Sequence, residues 1–122
     1  MKLHQNHNND VNIIKTVNDQ SIVVNEKTLQ QSCIVSNNEL ILDLDLHNIS
    51  DLSADHVDKL LLSKPEIIIF GSGTIHTFPA VELLNPIAVQ NVGFEVMNNK
   101  SAARTYNILV AEDRKVACLL IV

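Results

Sequence analysis

The sequence predicts an α/β fold: a single three-layer domain on a mixed β-sheet, with a βαβαβ C-terminal half and β-hairpins N-terminal to it. Three observations carry this. Short β-branched runs broken by Asn- and Asp-rich clusters fill the first third, and from Ser53 apolar residues recur at helical spacing. Two near-continuous apolar runs, 66–70 and 115–122, then alternate with helical stripes, as strands covered on both faces do. A chain of 122 residues has room for one core, so 11–122 is read as one domain behind a flexible polar head at 1–10. Hydrophobic content of 46% with 19% charge excludes disorder and low complexity.

Element by element, 12–17 and 21–24 form a hairpin about Asn18-Asp19-Gln20, and 32–35 and 39–42 a second about Asn37-Asn38. Ser53 caps a helix over 53–63, with Asp55 in its first turn and Leu52 and Val57 at staple positions. Val57, Leu60 and Leu61 form its apolar stripe, and Pro65 marks its end. Residues 66–70 make a central parallel strand that runs into Gly71-Ser72-Gly73. Pro79 fits the first turn of a helix carrying Val81, Leu83 and Leu84, which Pro86 should break, with Asn85 capping a second short piece. A strand over 94–97 leads to a third helix capped by Asn98 or Asn99, whose inward stripe is Ala102, Ala103, Tyr106, Leu109 and Val110. Residues 115–122 close the chain as a strand in one sheet with 66–70 and 94–97.

Composition narrows the function. A net charge of −5 and a pI near 5.4 argue against nonspecific nucleic-acid binding. The longest apolar runs fall far short of a membrane span. The head carries no apolar signal core and no Arg-rich amphipathic pattern, so neither secretion nor organelle import is expected and a cytoplasmic setting is. Cys33 and Cys118 lie in apolar runs without metal or redox spacing and read as core thiols. The five histidines show no paired ligand spacing, and no cofactor or metal is expected.

The order Pro65-Glu-Ile-Ile-Ile-Phe-Gly-Ser-Gly73, then Val92-Gly-Phe-Glu-Val-Met97, then Ala102-Ala-Arg-Thr-Tyr-Asn107, then Glu112-Asp-Arg-Lys-Val-Ala117 resembles a small domain-of-unknown-function family. Its members include a mitochondrial respiratory complex I assembly factor and an adipogenesis-associated cytosolic protein. The resemblance implies a compact three-layer α/β domain of about this length, with no established enzymatic activity among bacterial members. This chain departs from the pattern in having Gly71-Ser72-Gly73 for Gly-Thr-Gly and Asn98-Asn99 for Asp-Thr.

These features leave two functional expectations. The first is a non-enzymatic protein working through contacts with an unidentified protein partner, as an assembly or accessory factor. The second is a small-molecule or nucleotide-binding enzyme using a Gly-Ser-Gly crevice. In that reading the amides of Gly71, Ser72 and Gly73 and the helix start at Asn98 or Asn99 converge on a small anionic ligand, joined by Arg104 and by Asn107 on the same helix face. Two structural roles compete: a tight turn at the glycines, and Arg104 pinning that loop. A third glycine for a dinucleotide fingerprint is missing, since His76 stands there. Ser72 with His76 lacks a visible orienting residue for a hydrolase, and Glu95 is expected to bridge Arg104 or Arg114.

Overall fold

The computed structural model describes residues 11–122; the expected polar head, with His4 and His7, lies outside the described residues. Strands β1 (Ile14–Val17), β2 (Ile22–Val24) and β3 (Lys27–Leu29) form a small antiparallel sheet. Strands β4 (Cys33–Ser36), β5 (Leu40–Ile41), β6 (Ile67–Gly71), β7 (Gly93–Met97) and β8 (Val116–Leu120) form the main sheet in the order β5-β4-β8-β6-β7. Within it β8, β6 and β7 are parallel, and β4 and β5 add on antiparallel. The helices are α1 (Ala54–Leu61), α2 (Val81–Val89) and α3 (Asn99–Ala111).

Burial on both sheet faces explains the composition of the central strands. Every residue of β8 and all but Ile67 of β6 are buried. On one face Ile69, Cys118 and Leu120 pack against Ala102, Tyr106 and Val110 of α3 and against Ile22 and Val24 of the small sheet. On the other, Ile68, Phe70 and Leu119 pack against Val57 and Leu60 of α1 and Ile87 of α2. The expected three layers and the single sheet holding β6, β7 and β8 are therefore observed.

The parts of the resembling motif have structural duties. The Tyr106 hydroxyl donates to the Asn12 carbonyl at 2.9 Å or to that of Ser36 at 3.1 Å. Asn107 acts as a surrogate strand residue: its Oδ1 accepts from Ile14 N at 3.0 Å and its Nδ2 donates to Ile14 O at 2.7 Å, joining β1 to α3. At α1, His56 Nδ1 accepts from Ser53 N at 3.0 Å, and its Nε2 pairs with the Leu44 carbonyl at 2.8 Å, which fixes the imidazole inside the core. Helices α2 and α3 end without glycine, on Asn91 (φ 61°) and Asp113 (φ 64°) in the left-handed region. Val92 N to Ile87 O and Arg114 N to Leu109 O close both ends as Schellman turns.

Four expectations need correction. The small sheet has a third strand, β3, reached through a two-residue turn at Asn25-Glu26 with Asn25 left-handed (φ 54°). Pro79 precedes α2 rather than opening it, since the helix begins at Val81. Pro86 lies inside α2 without dividing it. The bond it forgoes is to the carbonyl of Glu82, an exposed first-turn residue that water can satisfy. Glu95 is exposed on edge strand β7, and Arg114 pairs instead with Glu66 at 2.6 Å.

Candidate functional site

Open α/β sheets bind ligands in the crevice beyond the carboxyl ends of parallel strands, where successive connections leave to opposite faces. Here β6 leads to α2 on one face and β7 to α3 on the other, so the crevice lies above β6 and β7. A cleft of about 230 Å³ opens there, between the first hairpin turn (Val17, Asn18, Asp19) and Gly73, Thr74 and Asn98–Lys100.

The donors expected to face this cleft are spent on one another. Ser72 N donates to Met97 O at 2.9 Å, Gly73 N to Asn99 Oδ1 at 3.0 Å, and Asn99 N to Gly73 O at 2.7 Å. Asn99 Nδ2 also donates to the carbonyl of Ile121 at 2.7 Å, so one buried side chain ties the β6 loop, the α3 start and the end of β8 together. Asn98 caps α3 by accepting from Ser101 N at 2.9 Å. Gly71 is demanded by space: a Cβ there would lie 2.7 Å from both Asn99 Oδ1 and the Leu119 carbonyl. Gly73 is demanded by its backbone, at φ 94°.

The sequence-expected residues thus fall into two groups. Gly71, Ser72, Gly73, Asn98 and Asn99 come together, but with the amides of Ser72, Gly73 and Asn99 bonded to Met97, Asn99 and Gly73 and not open to an anion. Arg104 and Asn107 lie apart from them. Asn107 is engaged with Ile14, and Arg104 is exposed, its guanidinium donating to Ser101 Oγ on its own helix at 3.4 Å. The loop is pinned by Asn99, so the competing structural role in which Arg104 pins it does not hold. Arg104 lines a separate groove of about 360 Å³ with Lys15, Lys100 and β1.

No hydrolytic pair forms. The Ser72 hydroxyl faces the Ile75 carbonyl at 2.6 Å and accepts from Thr77 N at 3.1 Å, while His76 Nε2 pairs with the Val96 carbonyl at 3.0 Å and its ring packs on Phe78. Among the described residues no group of three or more His, Cys, Asp or Glu side chains could hold a metal ion. Both thiols are free and buried. Burial pushes that of Cys33 up to about 12 and that of Cys118 well above its usual value, so neither is a nucleophile near neutrality.

What the sequence reading missed is a group of exposed apolar side chains on the segment that follows β6. Ile75 (73% exposed), Phe78 (65%), Val81 (68%) and Val89 (80%) stand open on the loop after β6 and on α2. Helix α2 is apolar almost throughout, yet Ile87 is its one buried residue. Helices of that composition are ordinarily enclosed. One signal in the sequence marks the region: no Lys or Arg occurs between Lys64 and Lys100. Among the described residues no helix is long and apolar enough to cross a membrane.

Comparison with known proteins places this geometry. Residues 14–121 match the model of a family described as protein of unknown function (DUF498/DUF598). A 13 kDa major membrane protein of Francisella tularensis subsp. holarctica (strain LVS) is 36% identical over 76 residues, covering 62% of this chain and 62% of that protein. An NMR structure of a Xanthomonas campestris protein is similar at TM-score 0.84 and 34% identity, over 100% of this chain and 92% of that one. A crystal structure of a Bordetella parapertussis protein is similar at TM-score 0.84 and 28% identity, over 91% of this chain and 95% of that one.

Proposed function

The chain belongs to the DUF498/DUF598 family of proteins of unknown function, and from that premise we propose that it works through protein contacts rather than catalysis, as an assembly or accessory factor. The observation that carries the proposal is the pairing of a crevice laced by its own hydrogen bonds with an open apolar face at Ile75, Phe78, Val81 and Val89. Exposed apolar patches of this kind mark contact surfaces, since leaving them in water forgoes roughly 25 cal/mol per Å². Phe78 supplies an exposed aromatic of the kind enriched in protein interfaces. The resemblance to a family containing a respiratory complex I assembly factor leans the same way. We place this work in the cytoplasm, a reading supported by two free, buried thiols.

The test is affinity capture from the native cell extract with wild type, Phe78→Asp and Arg104→Glu, quantified by mass spectrometry. A protein retained by wild type and by Arg104→Glu, and lost at least tenfold by Phe78→Asp, supports the reading. Equal capture by wild type and Phe78→Asp refutes it.

A further inference from the structure

Helix α3 carries Lys100 and Arg104 and no carboxylate, in a chain whose net charge is −5. We infer that these two side chains form a binding site for a dianionic phosphate group, in the groove between α3 and β1. The inference stands apart from the protein-contact reading, because α3 packs on the opposite face of the main sheet from α2.

The groove has a volume of about 360 Å³ and is lined by residues 14–17 of β1 and by Lys100, Ala103, Arg104 and Asn107 of α3. Those four helical positions stand at i, i+3, i+4 and i+7, so one stripe of α3 faces β1 along about 10 Å of the helix axis. Asn107 fixes the spacing of the two walls, since its amide holds Ile14 N at 3.0 Å and Ile14 O at 2.7 Å. Ala103 keeps space between them, having only a methyl group to fill it. The volume falls in the range of about 300 to 1,000 Å³ that small ligands occupy.

The charges lining this groove are all of one sign. Among the described residues, Lys15, Lys100 and Arg104 line it and no Asp or Glu does. Lys15 pairs with Glu26 at 3.0 Å, but the two side chains are 51% and 88% exposed, and a pair so open to water holds weakly. The other ion pairs among the described residues are Lys59 with Asp55 and Arg114 with Glu66, so Lys100 and Arg104 have none. Asp19 borders the adjoining cleft together with Lys100 and still makes no ion pair with it. Arg104 spends one of its five N–H donors on Ser101 Oγ, at 3.4 Å.

This placement works against the helix. Lys100 and Arg104 are like charges four residues apart, and Lys100 stands in the first turn, at the positive end of the helix dipole. No residue of α3 offsets either penalty, so the negative charge that does so comes from outside the chain. Its chemistry follows from the two cations. They are about 6 Å apart along the helix axis, near enough for long side chains to meet on one group. A single carboxylate neutralises one of them. A phosphomonoester carries about −1.5 to −2 at pH 7 and offers three acceptor oxygens, enough for the Arg104 fork and the Lys100 ammonium together. Inorganic phosphate, a soluble phosphomonoester and a phosphatidic acid headgroup share that chemistry.

The test is a nuclear magnetic resonance titration of the ¹⁵N-labelled full chain with sodium phosphate at constant ionic strength. The expected result is saturable shifts confined to amides of 14–17 and 99–107, with a Kd of about 1 mM or tighter. Lys100→Ala and Arg104→Ala should each raise that Kd roughly fivefold or more, and the double variant should abolish saturation. Both positions are exposed on a helix, where alanine is well tolerated, and the same spectra show whether each variant is folded. Lys27→Ala removes an exposed cation from β3, outside the groove, and should leave the Kd unchanged. Acetate should produce no saturable shift. Glycerol phosphate and phosphatidylcholine vesicles with or without phosphatidic acid then separate the sources. Titration by glycerol phosphate without vesicle pelleting assigns a soluble ligand. Pelleting that needs phosphatidic acid and is lost in both alanine variants assigns a headgroup. Absence of saturable shifts with phosphate, equal binding of acetate, or a Kd indifferent to both alanine variants overturns the inference.

Discussion

Asn99→Ala should cost ~2 to 6 kcal/mol of stability, and the reason lies in what that side chain holds. It is buried, accepts from Gly73 N at 3.0 Å and from Ile121 N at 3.4 Å, and donates to Ile121 O at 2.7 Å. Each good hydrogen bond contributes about 0.5 to 1.5 kcal/mol net, and a buried acceptor left without a donor costs about 1 to 3 kcal/mol. Ile121 is buried, so its carbonyl carries that penalty in the variant, whereas Gly73 is half-exposed and its amide can turn to water. Two lost bonds plus one stranded carbonyl give the stated range, a large share of a typical ~5 to 15 kcal/mol. Asn99→Asp keeps the acceptors but sets an oxygen against the Ile121 carbonyl, so it should cost at least as much. Urea unfolding followed by far-ultraviolet circular dichroism, with ΔΔG from the midpoint at constant m, is the assay. Losses under about 1 kcal/mol for both variants would mean that this residue does not tie the β6 loop and α3 to the end of β8. Gly71→Ala probes the same junction independently, because the Leu119 carbonyl stays 2.7 Å from the new Cβ even where Asn99 has been removed.

Three further outcomes are expected. Asn107→Ala forfeits both bonds to Ile14 and should cost ~1 to 3 kcal/mol, with hydrogen exchange accelerating across 14–29 before β6 and β8. Ile68→Ala and Leu120→Ala, each at 0% exposure in the main sheet, should lose ~2 to 5 kcal/mol in urea melts, and a loss below ~1 kcal/mol at both would deny those strands their central place. Stability should fall as pH rises above about 9: thiols ionise in the unfolded chain near 9.0, while burial holds Cys33 protonated up to about 12 in the fold, so the unfolded state sheds protons first. Replacing both cysteines by alanine should flatten the slope between pH 9 and 10.

The central sheet was legible in the sequence because β6 and β8 are buried on both faces, and a short uninterrupted apolar run beside glycine or charge suits little besides such a strand. Helix α3 was legible from its stripe at Ala102, Tyr106 and Val110. Strand β3 was not, because Lys27-Thr28-Leu29 is too short for alternation to register and its pairing is set by a two-residue turn. Gly71 and Gly73 were recognisable as special, but their cause was not. An Asn-Asn pair at a helix start looks like a cap, and only tertiary structure shows Asn98 capping while Asn99 turns inward to Gly73 and Ile121. For the same reason Arg104 stood as a competing candidate for pinning the loop, where Asn99 does it. The exposed apolar side chains escaped notice because Val81, with Leu83 and Leu84, reads as part of an inward stripe, yet it is 68% exposed. Whether a hydrophobic helix is covered depends on the layer above it, and no further layer packs over α2 among the described residues.

The claim that this chain acts through the Ile75–Val89 face and not through the crevice is tested most directly by photo-crosslinking in the native cell. One photoreactive residue replaces exposed Val81, and in a second experiment another replaces Lys100, which borders the cleft. The expected result is a protein adduct at Val81, to the chain's own copy or to another protein, and none at Lys100. Adducts at Lys100 with none at Val81 would contradict the claim and return the function to the mouth of the crevice.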